Sequence, residues 1–153
     1  GRIFPEFLNE VLRQYRIVDR KFHAAGWSNG GISSLHVTAA HPEYFVSVTA
    51  FPGYLWRPTD EKLLALSGIC VFFYIGQYDQ FPWHGEMRRE AEFLRAHGTR
   101  ATYTVENGQP HRIETLSGPN AARLFDGFEA AEQGCKLKRG EQPNLASTVE
   151  LPL

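Results

Sequence analysis

The sequence predicts an α/β fold with a mostly parallel sheet flanked by helices. Three observations carry that expectation: short apolar segments alternate with helical patterns along the chain, one segment (Ile69 to Ile75) is apolar without interruption, and a glycine-rich turn joins a short apolar segment to a helix. Alternating elements imply βαβ units with right-handed crossovers, and an unbroken apolar run is what a strand buried on both faces requires.

The elements follow in order. Residues 5–15 place Phe7, Leu8, Val11, Leu12 and Tyr15 at helical spacing behind Pro5, so an amphipathic helix with proline in its first turn is expected. Phe22 to Trp27 is a short apolar strand ending at the glycine-rich turn, and Gly30 to His41 is a helix stopped by Pro42. Phe45 to Phe51 has the β-branched and aromatic content of a strand and is closed by Pro52-Gly53. A short helix precedes the apolar strand 69–75. Between Trp83 and His97, Met87, Ala91 and Leu94 share a helical face, Gly98 stands at the cap position, and Ala101 to Val105 resumes strand alternation. Asn120 to Gln133 gives a last helix. After Gly134 the composition turns polar, so residues 1–133 read as the folded unit and 134–153 as an extension on a surface or a partner.

With 153 residues, 42% hydrophobic and 13% aromatic, the chain has material for one packed domain, which excludes a disordered chain. Sixteen basic against seventeen acidic residues leave a net charge of −1, so nucleic acid and anionic membrane surfaces are not favoured partners. No apolar stretch approaches the roughly 18 residues of a membrane span, and the visible N-terminus lacks a signal-peptide layout, so a soluble protein of unknown compartment is expected. Cys70 in an apolar run and Cys135 in a polar tail are too few and too differently placed to suggest a disulfide framework.

The chemistry centres on Gly26-Trp27-Ser28-Asn29-Gly30, a G-x-S-x-G sequence between the strand and the helix. A sharp strand-to-helix turn holds a serine in a strained conformation, and its flanking glycines remove Cβ atoms that would collide. The Asn29 backbone N–H then points at the same place from a helix N-terminus, as half of an oxyanion hole. A helix-capping turn is the bland alternative. A serine nucleophile needs an imidazole to take its proton and a carboxylate to orient the imidazole. Asp79 lies just past the strand 69–75, and His111 lies in the loop beyond 101–105, both at the edge that carries Ser28. A turn aspartate and an exposed loop histidine are the alternatives for these two. His84, His97, His41, His23 and His36 fall on or beside helices and strands, and Glu106 lies too near the base. No metal or other cofactor is called for. Trp27, Phe51, Tyr54, Trp56, Phe81 and Trp83 cluster beyond the strand ends, either lining an acyl or aryl pocket or forming core under a loop.

Residues 24–45, the Gly76-x-x-Asp79 turn and the Gly108-x-x-His111 turn resemble the esterase and polyhydroxybutyrate-depolymerase branch of the α/β-hydrolase superfamily, over most of residues 5–132. The resemblance implies Ser28 as nucleophile, Asp79 as acid, His111 as base, Asn29 as an oxyanion donor and a small-molecule ester as substrate. The Gly-Trp-Ser-x-Gly-Gly variant is also similar to prolyl-oligopeptidase-type peptidases, so a peptidase is a second reading and a catalytically inactive interaction module a third. The family fold supplies about four further strands before the first helix seen here. The expectation is therefore a partial α/β-hydrolase fold, the C-terminal half, with strand 22–27 left as an edge that another polypeptide's strands would cover.

Overall fold

The computed structural model describes residues 2–137. The polar extension expected over 134–153 lies outside the described residues beyond 137.

The chain runs α1 (Ile3–Gln14), β1 (Phe22–Gly26), α2 (Asn29–Ala40), β2 (Phe45–Ala50), α3 (Asp60–Leu64), β3 (Cys70–Gly76), α4 (Phe81–Ala96), β4 (Ala101–Glu106) and α5 (Arg123–Glu132). The four strands form one parallel sheet in the order β1-β2-β3-β4. Boundaries move by one to three residues from the sequence reading. The helix expected from Trp83 begins at Phe81, because Pro82 fits a first turn that lacks N–H acceptors. The helix expected from Asn120 is split into a 3-10 turn, Gly118–Ala122, and then α5.

The apolar run in β3 is buried on both faces, with alternate residues serving different layers. Val71, Phe73 and Ile75 join Leu35 of α2, Val48 of β2, and Met87, Ala91 and Leu94 of α4 in the main core. Cys70 and Phe72 point the other way, with Ala131 of α5 and Cys135. Gly127 of α5 lies so close to the Phe72 ring that a Cβ there would stand 3.3 Å from it. The sheet is thus sandwiched, as a two-sided apolar strand demands.

The cysteine reading from sequence is overturned. Cys70 and Cys135 form a disulfide across 65 residues of sequence, with Cα atoms 4.8 Å apart. One cysteine opens β3 and the other follows α5, which packs over that strand, so tertiary contact brings together what sequence context separates. Among the described residues, no strand pairs with the outer edge of β1, and no helix is long and apolar enough to cross a membrane.

Glu90 of α4 is the unusual core residue, 2% exposed. Its Oε1 accepts the Leu55 N–H at 2.8 Å, while its Oε2 is buried without a partner. Burial pushes its carboxyl up to about 8, with the Leu55 N–H opposing and Glu86 assisting. A carboxyl raised in the folded state stabilises the fold fully below its unfolded value near 4.5, and that stability drains as pH climbs towards 8.

Two outcomes follow from the core. Urea unfolding of the wild type should show stability falling between pH 4.5 and 8, by on the order of 3 kcal/mol, with Glu90→Gln flattening the slope because the amide still accepts from Leu55. Parallel pH profiles for the two proteins would contradict it. Cys135→Ser should cost about 4 kcal/mol by the chain-entropy relation for a loop of this length, and reduction of the wild type should lower the melting temperature comparably.

Candidate functional site

The site is built where the first strand turns into a helix. Ser28 caps α2 with φ 55° and ψ −121°, a conformation that costs a non-glycine residue about 1–3 kcal/mol. Ser28 holds the N-cap position, but its side chain makes no capping hydrogen bond, so its hydroxyl is not spent on the helix. The turn is pinned by backbone bonds from Gly30 N–H to the Trp27 carbonyl (2.8 Å), Ile32 N–H to the Ser28 carbonyl (3.0 Å) and Phe51 N–H to the Gly26 carbonyl (3.1 Å).

Glycine is required at some positions and not at others. A Cβ on Gly26 would sit 2.2 Å from the Gly30 carbonyl oxygen, and one on Gly31 would sit 2.3 Å from the Pro52 carbonyl oxygen. A Cβ on Gly30 would meet nothing within 4 Å. The expectation that both glycines flanking Ser28 relieve a collision therefore holds for Gly26 alone; the second tight position is Gly31, where α2 crosses the end of β2.

The other two groups arrive from the loops after β3 and β4. These loops are tied together: Gln77 N–H donates to the Glu106 carbonyl (2.9 Å), Tyr78 N–H to the Gln109 carbonyl (2.9 Å), and Gly108 N–H to Gln77 Oε1 (2.8 Å). A Cβ on Gly76 would stand 2.1 Å from the Pro110 carbonyl oxygen, so the two loops touch backbone to backbone. That contact brings Asp79 Oδ2 to 2.8 Å from His111 Nδ1, and His111 Nε2 to 2.8 Å from Ser28 Oγ. The Asp79 side chain is 1% exposed and its Oδ1 accepts the Gln80 N–H at 2.7 Å, so the carboxylate is held from two directions. Asp79 does serve its turn, and it also reaches the imidazole.

His111 is gripped on its other sides. The Trp27 indole N–H donates to the His111 carbonyl at 3.2 Å, and the Trp83 ring meets the imidazole edge-on with centroids 5.0 Å apart. Tyr54 meets Trp83 in the same T-shaped manner at 5.0 Å. Tyr54 and Trp83 also pack on the main core, combining the two sequence readings of these aromatics. Trp56 is 55% and Phe81 84% exposed, so both stand further out.

The remaining histidines have other engagements. His84 Nδ1 lies 2.8 Å from the Tyr103 hydroxyl, His23 Nδ1 2.6 Å from the Ser47 hydroxyl, and His36 Nε2 accepts the Trp56 N–H at 3.0 Å. Burial lowers the affinity of His23 and His36 for a proton. Glu106 is occupied by Arg123, whose guanidinium donates to both carboxylate oxygens (2.8 and 3.1 Å), and by the Thr115 hydroxyl (2.7 Å). Burial pushes the Glu106 carboxyl up, but these donors outweigh it and hold it below the usual range. Among the described residues, no group of three or more His, Cys, Asp or Glu side chains is placed to hold a metal.

Sequence reasoning named Trp27 and Phe51 as possible pocket lining but missed the loop side of the apolar recess beside this row. Trp27 and Phe51 face Ile113, Leu116 and Leu124 across a cavity of about 390 Å³. The segment 112–122 has no helical or strand period in sequence, so nothing there marked Ile113 and Leu116 as lining residues.

A protein-family model described as "Putative esterase" matches residues 4–130. The crystal structure of Zea mays acyl-protein thioesterase 2 is similar in fold, with a TM-score of 0.58 at 17% identity over 83% of this chain. At that identity the likeness speaks for the fold alone. The present chain spans 62% of that structure's length. No curated protein sequence matches the chain.

The two glycines around Ser28 should respond oppositely to substitution. Gly30→Ala, in open space within α2, should raise stability by about 0.5 kcal/mol through the loss of unfolded-state freedom. Gly26→Ala must displace the turn and should destabilise by several times that, in thermal melts of the two variants beside the wild type.

Proposed function

The chain belongs to the Esterase family, and from that membership we propose that it is a serine ester hydrolase with Ser28 as nucleophile, His111 as general base and acid, and Asp79 as the orienting carboxylate. The observation that carries the reading is the unbroken row of two 2.8 Å contacts, Ser28 Oγ to His111 Nε2 and His111 Nδ1 to Asp79 Oδ2.

The chemistry follows from those contacts. The step requires the tautomer in which Nδ1–H donates to the Asp79 carboxylate and the Nε2 lone pair faces the serine hydroxyl, and the two contacts allow it. As Oγ attacks the ester carbonyl, Nε2 takes its proton, and Asp79 stabilises the imidazolium that forms. The negative charge that develops on the carbonyl oxygen is met by the Asn29 N–H in the first turn of α2, where backbone N–H groups lack helical acceptors. Nε2 then returns the proton to the leaving alcohol, and an acyl-serine remains for water to hydrolyse by the same shuttle. The positive φ of Ser28 matters because it carries Oγ away from the helix it caps and towards the imidazole.

Trp27 and Trp83 hold His111 from two sides, so we assign them positioning roles, with Tyr54 behind Trp83. Trp56 and Phe81 are assigned to the outer rim, where an ester's more distant part would pass. A thioester presents the same carbonyl to Ser28, and both bond types fall within the proposal. The outer edge of β1 is where a further strand from another polypeptide would add, bringing a second oxyanion donor beside Asn29.

A fluorophosphonate probe should label the full chain, and Ser28→Ala should abolish labelling while retaining the wild-type melting behaviour. Asp79→Asn should lower kcat/KM on 4-nitrophenyl acetate by about 10⁴-fold, since an amide favours the wrong imidazole tautomer. A folded protein that the probe does not label would overturn the assignment.

A further inference from the structure

The cavity beside Trp27 shares Trp27 and Phe51 with the aromatic group noted from sequence, its other wall comes from the loop after His111, and no step of the proposed chemistry uses it. Its walls are Trp27 and Phe51 on the sheet side, and Ile113, Leu116, Ala121 and Leu124 on the side of the loop and turn after His111. Ile113, Leu116 and Leu124 are buried and form their own apolar cluster, separate from the main core. The volume, about 390 Å³, is in the range of small-molecule sites.

Two polar side chains stand at its border. The Ser117 hydroxyl donates to the Ile113 carbonyl at 2.9 Å, and Arg112 at the rim pairs with Glu114 at 3.0 Å. Away from that exposed rim pair the lining is mostly apolar, so the recess offers an apolar group contact on several sides. It adjoins the reacting centre through the chain neighbours of Ser28 and His111. Trp27 is both its wall and the neighbour of Ser28, and it donates to the carbonyl of His111, the residue before Arg112 and Ile113.

Resting on the serine-hydrolase reading above, we propose that this cavity is a specificity pocket that takes an apolar group of the ester, a short-to-medium alkyl chain or a single aromatic ring. Because Trp27 also braces His111, a chain that fills the cavity presses on the wall that orients the base. Size in this pocket is thereby coupled to the geometry of proton transfer. The cavity is finite, about 390 Å³, so the preference has an upper limit in length.

Two ester series read the pocket. One varies the acyl part as 4-nitrophenyl acetate, butyrate, hexanoate and octanoate; the other varies the alcohol as methyl, butyl, hexyl and benzyl acetate. In one series, wild-type kcat/KM should rise about fourfold per added methylene until the cavity is full, and that series identifies which part of the ester enters. Ala121→Trp, which fills the cavity, should cut the ratio of the best long substrate to acetate by at least about tenfold. Leu124→Ala should move the optimum to a longer chain, and it decides the matter alone if melting shows that the tryptophan variant does not fold. A wild type indifferent to length in both series, or an unchanged profile in the folded variants, overturns the pocket. Fluorophosphonate labelling of Ser28 separates the two levels. If Ser28 is labelled and esters turn over without these length effects, the pocket fails and the hydrolase reading stands; an unlabelled, inactive, folded protein fails both.

Discussion

Three close backbone approaches govern the geometry of this chain. Gly26 lies against Gly30 inside the strand-to-helix turn, Gly31 lies against Pro52 where α2 passes the end of β2, and Gly76 lies against Pro110 where the loops after β3 and β4 meet. Each would be broken by a single methyl group, because the opposing atom is backbone and cannot swing away. The first two border the turn in which Ser28 stands at positive φ; the third holds the loops of Asp79 and His111 against each other. Two 2.8 Å contacts between side chains remote in sequence are a consequence of those approaches, and the imidazole is the last part to be placed. The strain at Ser28, about 1–3 kcal/mol, is offset by the surrounding hydrogen bonds and by the burial of α2 on β1 and β2.

The acidic residues near this end of the sheet divide into three physical states. Asp79 is buried and bonded to both the Gln80 N–H and the imidazole. Glu106, at the end of β4, is committed to Arg123 and Thr115, which makes it a brace between the last strand and α5. Glu90 sits in the core with one oxygen unpartnered, and its raised proton affinity makes it a neutral donor-acceptor at mild pH. Its bond to Leu55 anchors the segment that carries Tyr54 and Trp56, so a core carboxyl steadies the aromatics on the Trp83 side of His111. Similar side chains do three jobs here because burial and neighbouring donors differ.

The parts legible in the sequence are those with a local signature. The apolar run of β3, the helical face of Met87, Ala91 and Leu94, and the strand-turn-helix around Ser28 each read correctly, since period and glycine placement are properties of a few adjacent residues. The positions of Asp79 and His111 just past two strands were legible too, once the strands were located. Three features were not. The Cys70–Cys135 bond depends on α5 folding back over β3, which no local pattern reveals. Gly31, rather than Gly30, is the tight glycine because Pro52 approaches it from another part of the chain. The Trp27 recess is lined from an aperiodic loop, where burial is decided by what the loop covers.

The missed disulfide bears on the site as well as on stability. Cys70 is the first residue of β3 and Gly76 its last, so the covalent link and the loop of Asp79 occupy opposite ends of one strand. The loop it closes, 70 to 135, contains both Asp79 and His111 and excludes Ser28. Constraint on the unfolded chain therefore falls on the segment that must bring the carboxylate and the imidazole together, and not on the turn that holds the serine. That turn is short and set by local backbone contacts, so it gains little from a distant cross-link. The relative placement of two loops separated by α4 and β4 is non-local, and the covalent bond closes a loop of chain that contains both.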